Sequence, residues 1–69
     1  PASSFVQVIT PELATVQLMD ASGRIISTNM NVTAGQTLTL STVELASGVY
    51  FVKISNDNFS VNKKIVVNN

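Results

Sequence analysis

Apolar and polar side chains alternate with a period of two in several short stretches of this chain. The clearest stretch is 49–55, where Tyr50, Val52 and Ile54 share one face and the intervening residues share the other. Successive strand side chains point to opposite faces, so this alternation predicts strands with one face against a core. No stretch keeps the three-to-four spacing of a helix with a cap in front of it, and we therefore expect an all-β fold.

Turn-forming residues separate these stretches. Asp20 and Gly23 predict a hairpin turn, because Asp can bond the backbone that follows it and Gly accepts a positive φ. Residues 56–58 predict the last tight turn, and 41–47 predicts an irregular crossing with at most a helical turn. We count six or seven strands, and the stretches that can be bounded are 5–10, 14–19, 24–32, 36–40, 49–55 and 59–67. Short strands at this spacing predict a sandwich or a small barrel, and the long crossing favours the antiparallel β-sandwich.

Two of the strands have a predictable place in the sheet. Stretch 49–55 is apolar on both faces, which predicts a central strand with something covering each face, since an edge strand normally carries more charge. Stretch 24–32 is partly polar and is typical of an edge strand or of one with an exposed face.

The composition limits both the stability of the chain and its partners. Sixty-nine residues make one domain, and without Cys or His neither a disulfide nor a zinc site can hold it together. Aliphatic packing must therefore supply the core. The net charge is zero, which excludes a strong electrostatic attraction to nucleic acid or anionic lipid. The apolar runs are too short for a membrane-spanning helix.

Residues suited to catalysis or metal binding are few. The four carboxylates, Glu12, Asp20, Glu44 and Asp57, are scattered, and those in turns are explained by solvation. Residues 56–58 could ligate a cation weakly, but a hairpin turn explains them better, because a calcium site needs several converging oxygens. We therefore expect no catalytic residue, no metal and no cofactor, and we do not expect an enzyme.

Lys63 and Lys64 are adjacent in a predicted strand. Adjacent strand side chains point to opposite faces, so the two lysines cannot form one basic patch. Lys64 shares its face with Val66 and is expected either at the rim of the fold or in a specific contact.

Two motifs lie near the C-terminal end of the chain. The first, Leu-x-x-Gly-x-Tyr-x-x-x-Ile, is met by Leu45, Gly48, Tyr50 and Ile54. The second, a Lys followed by a short apolar strand, is met by 64–67. Together they resemble the motifs of the C-terminal sorting domain (type A) of proteins exported by the type IX secretion system of Bacteroidota.

The resemblance extends over essentially the whole chain. The family's hairpin is matched by 16–26, whereas its opening Pro-Asn-Pro motif is matched only by Pro1.

The resemblance implies an immunoglobulin-like sandwich of about seven strands and a role as an export label. The implied partners are an N-terminal cargo domain, the type IX outer-membrane translocon with its shuttle protein, and a sortase-like protease that removes the label. The cargo would cross the periplasm and reach the cell surface or the medium, and 1–69 would be one domain of a larger protein. The residues implied in recognition are Gly48, Tyr50, Ile54, Lys64, Ile65, Val66 and Val67.

We expect recognition to involve strand addition, with the last strand at or near a sheet edge and Lys64 available to a partner. Gly48 would allow the backbone to bend into the central strand. An exposed edge also makes a strand-paired homodimer an expectation.

Two other functions use the same fold. One is a carbohydrate-binding or adhesive module of a surface enzyme, in which Tyr50 and Phe51 would form an aromatic platform, although core packing explains these residues better. The other is a structural spacer between domains.

Overall fold

The computed structural model describes residues 5–68, and these contain six strands and no helix. The strands are β1 (Phe5–Ile9), β2 (Ala14–Asp20), β3 (Ile25–Val32), β4 (Thr37–Ser41), β5 (Gly48–Ser55) and β6 (Ser60–Val67). The all-β prediction is confirmed. The described residues give six strands rather than about seven, because the crossing between β4 and β5 stays irregular. Within this crossing the Leu45 N–H donates a hydrogen bond to the Thr42 carbonyl at 3.1 Å, which closes a turn.

The strands form two antiparallel sheets in a sandwich-like arrangement. The larger sheet has the order β3-β2-β5-β6, and the smaller sheet pairs β1 with β4. β5 lies between β2 and β6, so the predicted central strand is confirmed. β3 and β6 are the two edges of the larger sheet, as expected for the polar strand and for the last strand.

The core lies between the two sheets. Alternate residues of β2 and β5 point into it, and Val16 and Val52 are 0% and 2% exposed. The smaller sheet contributes Val8 and Leu40 to the same cluster. Because alternate side chains of β2 and β5 point to the same face, the two-residue period seen in the sequence places these aliphatic residues against the smaller sheet.

The opposite face of β5 has no second layer within residues 5–68. Val49, Phe51 and Lys53 lie on this outer face and are half-buried by their neighbours in the sheet. The expectation that something covers both faces of the central strand is therefore not met inside the described chain. Long side chains of adjacent strands shield one another here, so the two-faced apolar pattern did not require a third layer.

The β2–β3 turn is built by the carboxylate of Asp20. Its Oδ1 accepts hydrogen bonds from the Ser22 hydroxyl at 2.7 Å and from the backbone N–H of Arg24 at 2.9 Å. These bonds favour the charged form and hold the pKa of Asp20 below its ordinary value of 3.8. Gly23, with φ +92°, supplies the left-handed residue that such a three-residue hairpin loop needs.

The β5–β6 turn is built in the same way by Asn56. Its Oδ1 accepts hydrogen bonds from the N–H groups of Asn58 at 2.7 Å and Phe59 at 3.1 Å. Its own N–H donates to the Phe59 carbonyl at 3.0 Å. The predicted tight turn is confirmed, and it fixes the register in which β6 pairs with β5.

Candidate recognition surface

The outer edge of β6 is regular, and no strand of residues 5–68 pairs with it. β6 pairs with β5 from Ser55↔Ser60 to Gly48↔Val67 without a register shift. Residues of an antiparallel pair alternate between hydrogen-bonded and non-hydrogen-bonded positions. Asn56 and Phe59 are a hydrogen-bonded pair, so every second residue after Phe59 also has its backbone groups directed at β5. The backbone groups that point away from β5 are consequently those of Ser60, Asn62, Lys64 and Val66.

β3, at the other edge of the same sheet, is irregular. Its pairing with β2 shifts register between Ala14 and Val16 and again between Leu18 and Met19. Asn31, in the first of these irregularities, has φ +57°, the one positive φ of a non-glycine residue within 5–68. Bulges of this kind interrupt the row of free backbone groups and make an edge a poor template for another strand. Of the two edges, β6 is the one suited to strand addition.

The structure separates the seven residues implied in recognition into two groups along the β5–β6 pair. Gly48 and Tyr50 lie opposite Val67 and Ile65, so they share one end of the pair with 64–67. Ile54 pairs with Val61 near the turn, away from that end. The two motifs seen in the sequence therefore meet in space, with the exception of the final Ile of the first.

The same residues also differ in exposure. Tyr50, Ile54 and Val67 are buried in the core between the sheets. Lys64 is exposed and Val66 is 69% exposed, so their side chains are available to a partner. Ile65 is half-buried and packs at the margin of the core.

Tyr50 connects the first motif to the irregular crossing that precedes it. Its hydroxyl donates a hydrogen bond to the Ala46 carbonyl at 2.7 Å, four residues upstream. A hydroxyl that bonds back to the chain in this way resembles the tyrosine corner of immunoglobulin-like sandwiches. Gly48, between the two, has φ +156°, and a Cβ there would meet no atom within 4 Å. A side chain at Gly48 would therefore be disfavoured by the backbone conformation rather than by a steric clash.

The two lysines of β6 point to opposite faces, as predicted. Lys64 lies opposite Phe51 on the outer face, whereas Lys63 lies opposite the buried Val52 and so points toward the space between the sheets. Within residues 5–68 the one salt bridge joins Arg24 to Asp20 at 3.4 Å. Neither lysine of β6 is paired with a carboxylate of the described chain.

An open cleft separates β1 from the inner face of β5 and β6. It has a volume of about 270 Å³ and is lined mainly by aliphatic side chains with one lysine. The lining includes Val6 and Ile9 from β1 and Ile65 and Lys63 from β6. Neither this cleft nor the place of Lys63 in it was predicted from the sequence. The two-residue period could have indicated the place of Lys63, because it puts this residue on the same face as Val61 and Ile65.

A second cavity, of about 440 Å³, lies beside the β5–β6 turn and is lined mainly by polar residues. Glu12 is held there by the side-chain amides of Asn56 and Asn58, which each donate to its Oε1 at 3.2 Å. Across residues 5–68, no three His, Cys, Asp or Glu side chains come together as a metal site would require. The described chain also has no helix long and apolar enough to cross a membrane.

Comparison with known protein families supports the resemblance that the two motifs carry. The family model described as the secretion system C-terminal sorting domain matches residues 1–68. No curated protein and no solved structure matches the chain. The opening motif expected at Pro1 falls inside this match but outside the residues that the structure describes. The match covers nearly the whole chain, which therefore belongs to the family of secretion system C-terminal sorting domains, the signals that direct proteins through type IX secretion to the cell surface or the medium.

Proposed function

We propose that the type IX machinery recognises this sorting domain along the free edge of β6, by adding a strand of its own. The observation that carries the proposal is the contrast between the two edges of the larger sheet. β6 pairs with β5 in unbroken register, whereas β3 is interrupted twice. Strand addition uses backbone groups for affinity and alternate side chains for specificity, so the domain can be bound without unfolding.

In this proposal the seven family residues have three different roles. Lys64, Ile65 and Val66 contact the partner, because they are exposed or half-buried on the edge strand. Tyr50, Ile54 and Val67 shape the core behind that strand. Gly48 allows the chain to enter β5 directly opposite Val67.

The wider setting of the domain follows from its family and belongs to the same proposal. The chain is one domain of a larger protein, preceded by a cargo domain and passing through the periplasm before export. The outer-membrane shuttle protein of the translocon is the partner at β6, and a sortase-like protease then separates label from cargo. The domain itself performs no catalysis in this scheme.

The main alternative function, a glycan-binding module, is not favoured by the placement of the aromatic residues. Tyr50 is 9% exposed in the core, and Phe51 is half-buried on the opposite face. A stacking platform for sugar rings needs aromatic faces that are exposed side by side, and these two residues point apart.

The test is export of a periplasmic reporter fused to this chain, with variants that change only the outward backbone groups of β6. Asn62→Pro removes an outward N–H but no bond to β5, and Asn62→Ala is the matched control that keeps the N–H. We expect the Pro fusion to accumulate in the periplasm and the Ala fusion to reach the surface. Truncation before Lys64 and the Lys64→Ala fusion are expected to reduce export as well.

Urea unfolding of each purified domain separates loss of recognition from loss of fold. Val66→Pro, which removes another outward N–H, replaces Asn62→Pro if the latter is unfolded. The proposal fails if a folded Pro variant is exported as efficiently as Asn62→Ala.

A further inference from the structure

We propose that Lys63 and Lys64 select the strand that adds to β6: they oppose pairing with a second copy of this chain and favour an extended partner segment with carboxylates on both of its faces. This inference rests on the proposed function and specifies the chemistry of the partner at the same edge. It goes beyond the family motif, in which a single lysine precedes the last strand.

The geometry of β6 disfavours self-pairing, in contrast to the strand-paired homodimer that an exposed edge alone leads one to expect. If two copies of β6 paired in a continuous antiparallel sheet, residues with outward backbone groups would have to lie opposite one another. Such residues occur at every second position of β6, so the allowed registers are spaced two residues apart. The two registers that pair the most residues are centred on Lys63 and on Lys64. Each of them places a lysine directly opposite the same lysine of the other copy. Like charges in this position destabilise the pair, which is one way that edge strands avoid self-association.

The surrounding charges increase this effect. β5 and β6 together carry Lys53, Lys63 and Lys64 and no carboxylate. Lys53 lies opposite Asn62 on the outer face and is therefore a diagonal neighbour of Lys64. A strand that pairs with β6 thus meets positive charge on both faces of the sheet, and acidic side chains on both of its own faces would be complementary to it.

The cleft between the sheets indicates the rest of the partner segment. A strand added to β6 would continue the larger sheet beside β1, so its inward side chains would lie along the cleft lined by Val6, Ile9 and Ile65. Aliphatic side chains fit this lining, with a carboxylate at the position that faces Lys63. The partner is therefore an extended segment with alternating apolar residues and a pair of adjacent acidic residues opposite the two lysines.

The binding test uses the isotope-labelled 69-residue chain and two short synthetic strand peptides. Both peptides alternate valine and threonine, and they differ only in a central pair of glutamates or a central pair of lysines. We expect the glutamate peptide to shift the backbone amide signals of Ser60 to Val67 and to bind about tenfold more tightly than the lysine peptide. In the double variant Lys63→Glu/Lys64→Glu the preference should reverse. Arg24→Gln, which removes a positive charge at the other edge, should leave it unchanged.

The proposal is overturned if both peptides bind equally, if neither binds, or if the amide shifts map to β3. Sedimentation tests the second part: the wild-type chain should remain monomeric, and Lys63→Thr/Lys64→Thr should self-associate. A wild-type dimer held through β6 would show that the occupant of the edge is a second copy and would overturn the proposal.

The export assay keeps this failure separate from failure of the proposed function. If the peptides show no charge preference while the folded Asn62→Pro fusion still remains in the periplasm, the edge is recognised without selection by the lysines. If the folded Asn62→Pro fusion is exported normally, the proposal that the edge of β6 is recognised is wrong, and the proposed selection by the lysines fails with it.

Discussion

Tyr50 is the residue in which the family motif and the fold are most directly connected. Its ring belongs to the core cluster, and its hydroxyl reaches the Ala46 carbonyl in the crossing between β4 and β5. One side chain therefore fixes the irregular segment against the start of the central strand. This accounts physically for a tyrosine, rather than another large apolar residue, two positions after Gly48.

The Tyr50→Phe variant removes this hydrogen bond and keeps the ring. We expect it to lower the free energy of unfolding by about 1 kcal/mol, the usual net value of such a bond. In a domain of this size that loss corresponds to a fall in Tm of roughly 4–8 °C. Urea and thermal unfolding measure both quantities, and an unchanged Tm would show that the bond to Ala46 does not stabilise the fold.

The carboxylate of Asp20 makes stability depend on acid pH. Because hydrogen bonds from Ser22 and Arg24 lower its pKa in the folded state, the charged form stabilises the fold above the ordinary value of 3.8. This contribution is lost as the pH falls through the lower, folded-state pKa. Comparison of wild type with Asp20→Asn by urea unfolding between neutral and acid pH should show the wild type more stable near neutrality and the two converging in acid. A constant difference at all pH values would contradict this.

At the scale of elements, the two edges of the larger sheet differ in the feature that opposes edge-to-edge association. β3 has two irregularities, a left-handed Asn31 and exposed side chains along most of its length. β6 is regular but carries adjacent lysines. Both are recognised ways to prevent uncontrolled edge-to-edge association, but only charge leaves the backbone groups available to a chosen partner.

The irregularity at Asn31 can be tested by substitution. Asn31→Val places a β-branched side chain at φ +57°, and we expect it to cost about 1–2 kcal/mol of folding free energy. Asn31→Gly, which accepts a positive φ, should be close to neutral. Urea unfolding of both variants measures the difference, and equal stability would mean that β3 can adopt a regular pairing instead.

At the scale of the whole molecule, one small core holds two sheets together. A two-stranded sheet covers the inner face of a four-stranded one and leaves a cleft beside β6. The sequence contains no cysteine and so forms no disulfide, and the stability of the domain depends on a few fully buried aliphatic side chains. Domains of this size have roughly 3–10 kcal/mol of total stability.

The same substitution at two valines separates this core from the recognition surface. Val16→Ala removes a side chain that is 0% exposed, and we expect it to lower the free energy of unfolding by about 2 kcal/mol. Val66→Ala changes a side chain that is 69% exposed, and we expect less than about 0.5 kcal/mol. The export assay should show reduced export for Val66→Ala despite its normal stability. Similar unfolding curves for the two variants would contradict the assigned core.

The sequence by itself determined the strands and the turns, because both depend on local chemistry. The two-residue period places Tyr50, Val52 and Ile54 on one face whatever the partner strands are. Asp20 and Asn56 bind backbone groups only a few residues away, so the hairpins they form could be read directly from the chain.

The tertiary structure alone decided which strands pair beyond the two hairpins, which edge is regular and where an open cleft remains. The irregular pairing of β3 and the cleft beside Lys63 depend on contacts between segments far apart in the chain, and a local pattern carries no information on them. The apolar outer face of β5 led to the expectation of a second covering layer, because alternation reports which residues share a face but not what lies over that face. For the same reason the sequence motif could suggest Lys64 as a recognition residue, whereas only the assembled sheet placed Lys63 beside the cleft.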